Sequence, residues 1–166
     1  ANKHPRVNIL QPGCGVGGHC IAVDPYFITS QFPLESKIIG TAREINHNKE
    51  LWCFNKIQDI IVKFETEYNR KPVISICGLA FKPNIDDLRE SPALAIAEAI
   101  HSEHDGPIVI YEPNLSSLPP TLNQAVLVTT GTTDNADVSL MLVDHSNFKK
   151  LPKPMGRLID TRGVWE

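Results

Sequence analysis

Between Glu35 and Tyr68, apolar residues recur at Ile38, Ala42, Ile45, Trp52, Ile57, Ile61 and Phe64, and Gly40 is the one helix breaker in the segment. Spacings of three to four, or multiples of that, predict a long helix rather than a strand. About 30 residues at ~1.5 Å each give a rod of roughly 45 Å, longer than one small domain covers. Such a helix is expected to act as a spine between domains or as a dimer contact. The pattern changes at Asn69-Arg70-Lys71-Pro72. Beyond it come short apolar runs: 73–80 ending at glycine, 108–111, 125–128, 138–143 and 157–160. Runs this short and this apolar suit buried parallel strands. Between the first two, Ser91-Pro92-Ala93 is expected to open a helix reaching about His104, with Ser91 as the N-cap and Pro92 where a missing N–H costs nothing. The alternation predicts an α/β chain whose residues 72–166 form a small doubly wound parallel sheet, in which ligands bind beyond the carboxyl ends of the strands. Phe81, Lys82, Glu112, Asp144 and Arg162 all fall just after predicted strands.

Ahead of the long helix the pattern gives way to a stretch almost without side chains. Gln11 to Asp24 holds Gly13, Gly15, Gly17 and Gly18, followed by His19, Cys20 and Asp24. Bare main chain lets amide groups approach a ligand closely and adopts φ values that other residues avoid. Asp24-Pro25 is expected to start a short helix, with Asp24 as N-cap, an apolar side of Tyr26, Phe27, Ile28 and Phe32, and an end at Pro33. Cys20 stands beside a histidine and glycines rather than in an apolar run. Backbone donors or the helix start near Asp24 would favour its thiolate, which makes it the candidate nucleophile. Cys53 and Cys77 sit inside helix and strand patterns and read as core. Cys14, with glycine on both sides, is a weaker second candidate.

Composition narrows the classes. A hydrophobic share of 42% and a charged share of 21% are those of a soluble globular protein. The net charge of −3 leaves no electrostatic footprint for nucleic acid. The four cysteines form no CxxC pair, which argues against a zinc site or a disulfide framework. No run approaches the roughly 18 to 20 apolar residues of a membrane span and no signal-peptide core opens the chain, so a cytoplasmic setting is expected. The opening Ala1-Asn2-Lys3-His4-Pro5-Arg6 supplies no first element, and the chain reads as though cut from something longer.

A second chemical stretch runs from Gly78 to Ala93, GLAFKPNIDDLRESPA. Phe81 offers a stacking face for a base or sugar, and Lys82 a point charge for phosphate. Read together, GVGGHCIAVDP (15–25) and this stretch resemble the UDP-glucose/GDP-mannose dehydrogenase family. HPRVNILQPG, TAREIN, MLVDHS and DTRGVW extend the likeness over nearly the whole chain, and the wording is most similar to the branch acting on UDP-N-acetyl-D-mannosamine.

The resemblance implies an NAD-dependent enzyme that oxidises a nucleotide-sugar alcohol to a carboxylate. The family has an amino-terminal Rossmann domain for NAD, a central helical dimerisation domain, and a carboxyl-terminal Rossmann-like domain for the UDP half of the substrate. Residues 1–71 resemble the later part of the central domain with the cysteine loop, and 72–166 the UDP-sugar domain. On that resemblance Cys20 is the catalytic nucleophile and Asp24 orients water or its proton transfers. Gly13, Gly15 and Gly17 would wrap the sugar and phosphate. His4 and Arg6 match positions that reach substrate, in some members from the neighbouring subunit of the dimer, Phe81 and Lys82 the UDP-contacting pair, Arg162 a further substrate contact, and Arg89 a residue that meets NAD. A homodimer through the long helix is implied, as is inactivity of this stretch alone, and no metal. The alternatives are a family member acting on UDP-glucose, GDP-mannose or UDP-N-acetylglucosamine, or a non-catalytic nucleotide-binding or dimerisation module.

Overall fold

The structure is a computed structural model that describes residues 3–7, 9–131 and 135–165. Ala1, Asn2 and Asn8 of the opening segment lie outside the described residues. Two helices come first, α1 (Asp24–Gln31) and α2 (Lys37–Tyr68), then β1 (Ile74–Cys77), α3 (Pro92–Glu103), β2 (Ile108–Tyr111), β3 (Val126–Val128), β4 (Val138–Met141) and β5 (Arg157–Asp160).

The expected long helix is present and spans 32 residues. It stops where Asn69 turns left-handed (φ 51°) and its N–H bonds the Glu65 carbonyl at 2.9 Å, a conformation asparagine tolerates better than most residues. Arg70 then makes a two-pronged ion pair with Asp137, at 2.7 and 2.8 Å, and the Asp137 carboxylate also accepts the Val73 N–H at 2.8 Å. The helix end is thereby tied to the start of the sheet. α3 begins as its sequence predicts, with the Ser91 hydroxyl accepting from Leu94 N–H and donating to the Leu79 carbonyl at 2.6 Å.

All five strands run parallel in the order β3-β2-β1-β4-β5. The chain winds from β1 outward to β3, then returns to lay β4 on the other side of β1. The switch point therefore lies between the carboxyl ends of β1 and β4. Alternate side chains face opposite layers, as a pleated strand requires. Ile74, Ile76, Ile108, Ile110, Val138 and Leu140 join Cys53, Ile57 and Ile61 of α2 and Ile96, Ala97 and Ile100 of α3 in the main core. Cys77 and Met141 face the other layer, where Phe148 and Trp165 cover them. That second layer is built from a 3₁₀ turn (Phe148–Lys150) and the final segment rather than from a helix.

One local expectation is corrected. Asp24 does not cap α1: the N-cap is Val23, no side chain bonds the helix start, and Asp24 is the first helical residue. Its carboxylate therefore sits in the first turn, where it complements the helix dipole without closing a capping ring. None of the α1 residues is buried, so the apolar side given by Tyr26, Phe27 and Ile28 lies open.

Candidate active site

The glycine loop does not stand free. It lies across the carboxyl ends of the strands and is fastened from three sides. From α2, Asn46 accepts the Val16 N–H at 2.8 Å and donates back to the Val16 carbonyl at 3.0 Å. From the segment ahead of α3, the Arg89 carbonyl accepts the Gly18 N–H at 3.2 Å. From the end of β5, Arg162 Nη1 donates to the Pro12 carbonyl at 2.8 Å and weakly to Gln11 at 3.4 Å, while its Nε donates to Asp144 at 2.8 Å. Burial pushes the Asp144 carboxyl up, but Lys149, at 3.1 Å, and Arg162 more than offset this and hold it below its usual range.

Two glycines are dictated by this docking. A Cβ on Gly17 would stand 2.0 Å from the Glu90 carbonyl oxygen, so any side chain would lift the loop off the start of α3. Gly18 has φ +94°, and a Cβ there would press on the Phe81 ring at 2.8 Å. Gly13 backs onto Arg162, and Gly15 onto Pro92. Their first observed role is thus to seat the loop.

Cys14 and Cys20 separate cleanly. Cys14 is buried beneath the loop, its thiol 3.8 Å from the Leu142 carbonyl, and burial followed by the neighbouring Cys53 pushes it up to about 12. Burial and the nearby Asp160 push the Cys77 thiol up to about 12 as well. Neither is a nucleophile at neutral pH. Cys20 is exposed and opens toward solvent at the loop's far end. The backbone donors expected to favour its thiolate are otherwise engaged: Val23 and Asp24 N–H bond the Cys20 carbonyl, at 3.0 and 2.8 Å. The nearby charges come instead from the 87–89 segment. Arg89 lies within electrostatic reach of Cys20, and its guanidinium grips Asp87 at 2.6 to 3.1 Å. The hydrogen bonds from Arg89 hold the Asp87 carboxyl down at about 2. His19 lies 3.8 Å from the same carboxylate and meets the Phe81 ring edge-on, with centroids 6.4 Å apart.

Between the loop and the strand ends lies a cavity of about 110 Å³, lined among others by Cys14, Gly15, Phe81, Lys82, Val143 and Arg162. It sits at the switch point between β1 and β4, where a doubly wound sheet takes its ligand. Lys82 is exposed at its mouth with Nζ 5.5 Å from the Phe81 ring centre. The structure thus brings Gly13, Gly15, Gly17, Phe81, Lys82, Arg89 and Arg162 together at the carboxyl ends of the strands, with Cys20 at the far end of the loop and Asp24 four residues beyond it. His4 and Arg6 are not brought in. They occupy an exposed turn where Arg6 N–H bonds His4 Nδ1 at 3.2 Å, and among the described residues neither makes a hydrogen bond or ion pair with the cysteine loop or Lys82.

Sequence reasoning missed Asn46, which holds the loop from α2, and the wiring of Glu112 and His145 behind Phe81. A polar asparagine in a helix, directly after Ile45, was the available signal for the first. For the second, the signal was a glutamate directly after one apolar run and a histidine two residues after another.

A parallel sheet with a thiol-bearing glycine loop seated over its switch point defines a Rossmann-like nucleotide-binding architecture with a candidate covalent centre. The model of the UDP binding domain of the UDP-glucose/GDP-mannose dehydrogenase family matches residues 75–166, and that of the family's central domain matches residues 1–48. The chain belongs to the UDP-glucose/GDP-mannose dehydrogenase family, a family of nucleotide-sugar dehydrogenases. It is 48% identical to the UDP-N-acetyl-D-mannosamine dehydrogenase of Salmonella typhi, over 99% of this chain and 41% of that protein. It is 44% identical to the NDP-N-acetyl-D-galactosaminuronic acid dehydrogenase of Ralstonia nicotianae, over 99% of this chain and 39% of that one. Among solved structures, UDP-N-acetyl-mannosamine dehydrogenase Cap5O from S. aureus superimposes with a TM-score of 0.74 at 37% identity, covering 100% of this chain and 39% of the other. The chain therefore spans about two fifths of the length of the relatives it matches.

Proposed function

We propose that this chain is the carboxyl-terminal part of an NAD-dependent dehydrogenase that oxidises UDP-N-acetylmannosamine to UDP-N-acetylmannosaminuronate through a thioester on Cys20. The observation that carries the reading is the exposed Cys20 at the end of a glycine loop seated over the nucleotide crevice, with Lys82 and Arg162 at that crevice and Arg89 beside the thiol. In this reading residues 1–71 are the rest of a central dimerisation domain with the cysteine loop, and 72–166 the UDP-sugar domain.

Phe81 stacks on the nucleotide and Lys82 meets its phosphates. Arg162 keeps the loop closed over the sugar. Arg89, a side chain 63% exposed and held in place by Asp87, fits a contact to an anionic cofactor, and NAD when bound supplies the two hydride acceptances the oxidation needs. Once the alcohol is an aldehyde, the Cys20 sulfur bonds the carbonyl carbon as a thiohemiacetal. Oxidation of that adduct leaves a thioester. Water then adds, the C–S bond breaks, and carboxylate and thiol are released, with Asp24 placed to orient the water. A sulfur is required because a serine oxygen is a far weaker nucleophile and leaving group.

The open apolar side of α1 and of the first half of α2 supports a homodimer through the long helix. The proposed setting is the cytoplasm; among the described residues no helix is long and apolar enough to cross a membrane. Two experiments test the reading. Calorimetric titration of UDP into this chain is expected to show binding that Lys82→Ala abolishes; absent binding, or equal binding by both, overturns the nucleotide assignment. In a form carrying the family's amino-terminal domain, Cys20→Ser is expected to lose acid formation, and normal turnover overturns the nucleophile.

A further inference from the structure

Behind the Phe81–Lys82 turn lies a buried polar cluster that the chemistry above does not use. Glu112, just past β2, and His145, just past β4, are both fully buried, and His145 Nε2 lies 3.1 Å from Glu112 Oε2. The same Glu112 oxygen accepts the backbone N–H groups of Leu79, at 2.8 Å, and Ala80, at 3.4 Å, immediately ahead of Phe81. Its other oxygen accepts from Asn114, backbone N–H at 3.2 Å and side-chain amide at 3.4 Å. On the far side of the turn, His145 Nδ1 accepts the Asn84 backbone N–H at 2.9 Å and the Asn114 side-chain amide at 3.0 Å. The Asn84 side chain in turn accepts the Ser146 N–H at 2.9 Å, and Asn84 is held at φ 62°.

This pattern fixes the protons. A backbone N–H can only donate, so Nδ1 of His145 must be the bare acceptor and Nε2 must carry the hydrogen, which it gives to Glu112. Every group facing Glu112 is likewise a donor, so a carboxylate satisfies them all. An amide would turn its NH₂ against one set of backbone donors. The ring plane of His145 is held by Phe148, edge-on at 5.4 Å.

We propose that Glu112 and His145 are positioning residues that clamp the Phe81–Lys82 turn at both ends, Glu112 through Leu79–Ala80 and His145 through Asn84, and so preset the pair for a nucleoside diphosphate. The clamp joins the ends of β2 and β4 to the turn that follows β1, so the turn is referred to the sheet itself. The proposal rests on the reading that Phe81 and Lys82 meet nucleotide, and the two separate in the test below.

Nitrogen NMR of the wild-type chain is expected to show His145 as the Nε2–H tautomer, with an Asn84 amide protected from exchange; protonated Nδ1 or an unprotected amide overturns the clamp. His145→Gln can still reach Glu112 but offers nothing at the Nδ1 position. It is expected to expose the Asn84 amide, disorder the Lys82 backbone and weaken UDP binding about tenfold. His145→Asn restores an acceptor at the Nδ1 position and is expected to return affinity to within about twofold of wild type. Equal loss in both variants, or unchanged Lys82 order in His145→Gln, overturns the clamp. If the wild-type chain binds no UDP, the nucleotide reading fails while the tautomer and exchange data still judge the clamp.

Discussion

The two halves of α2 are built from the same kinds of residue and meet opposite fates. In the second half, Cys53, Ile57, Ile61 and Phe64 turn one stripe onto the sheet and α3, and Ile57 is wholly buried. In the first half, Ile38 is 86% exposed and Ile45 65%, and Phe27 and Leu34 beside them lie equally open. The difference teaches that the 3.6-residue period marks an apolar face without saying what covers it. Here the 72–166 unit covers one end, and the other leaves large apolar side chains in solvent.

The comparison breaks most sharply at Ile57 against Ile38. Ile57→Ala leaves a cavity between α2 and the sheet and is expected to cost about 2–5 kcal/mol in urea unfolding of the chain. Gly17→Ala tests whether the loop belongs to the covered half; with a Cβ aimed at the Glu90 carbonyl, it is expected to cost about 1–3 kcal/mol and to free the Gly18 amide in hydrogen exchange. Ser91→Ala removes the cap of α3, the helix that receives α2, and is expected to cost about 1 kcal/mol in the same unfolding assay. Ile38→Ala, chemically the twin of the first change, is expected to stay within about 0.5 kcal/mol for the monomer. It should instead weaken self-association in sedimentation, and a loss as large as that of Ile57→Ala would show that the first half is covered after all. The smallest effect is that of pH on the Asp87–Arg89 pair. The folded carboxyl is depressed to about 2, so its contribution is complete above the unfolded value of about 3.9 and is lost as pH falls from there through about 2. A carbon-detected titration of Asp87 with a midpoint near 4 would contradict this.

Much was legible in order along the chain. β2 and β5 occupy the predicted residues, α3 starts at its predicted cap, and the five parallel strands follow from apolar runs too short for helices. Cys20 was separable from Cys53 and Cys77 by its neighbours, but not fully from Cys14, which also has glycine on both sides and is nevertheless buried, because its loop is seated on the sheet. Asp24 was misread because a cap is decided by the backbone angles of the turn before it, and the Cys20 carbonyl takes the first N–H groups there.

Local pattern, then, determined which elements form and which family the chain belongs to, since these rest on neighbouring residues and on motif wording; that Cys20 and not Cys14 stays outside was settled by the seating of the loop. The tertiary structure alone decided what the motifs lean on. Arg162 reaches Pro12 across 150 positions, His145 reaches Glu112 across 33 and Asn84 across 61, and Asn46 reaches Val16 across 30. Contacts at such separations are made by the winding of β1 against β4 and the seating of the loop above them, and hydrophobic periodicity carries no record of which polar groups that winding brings face to face.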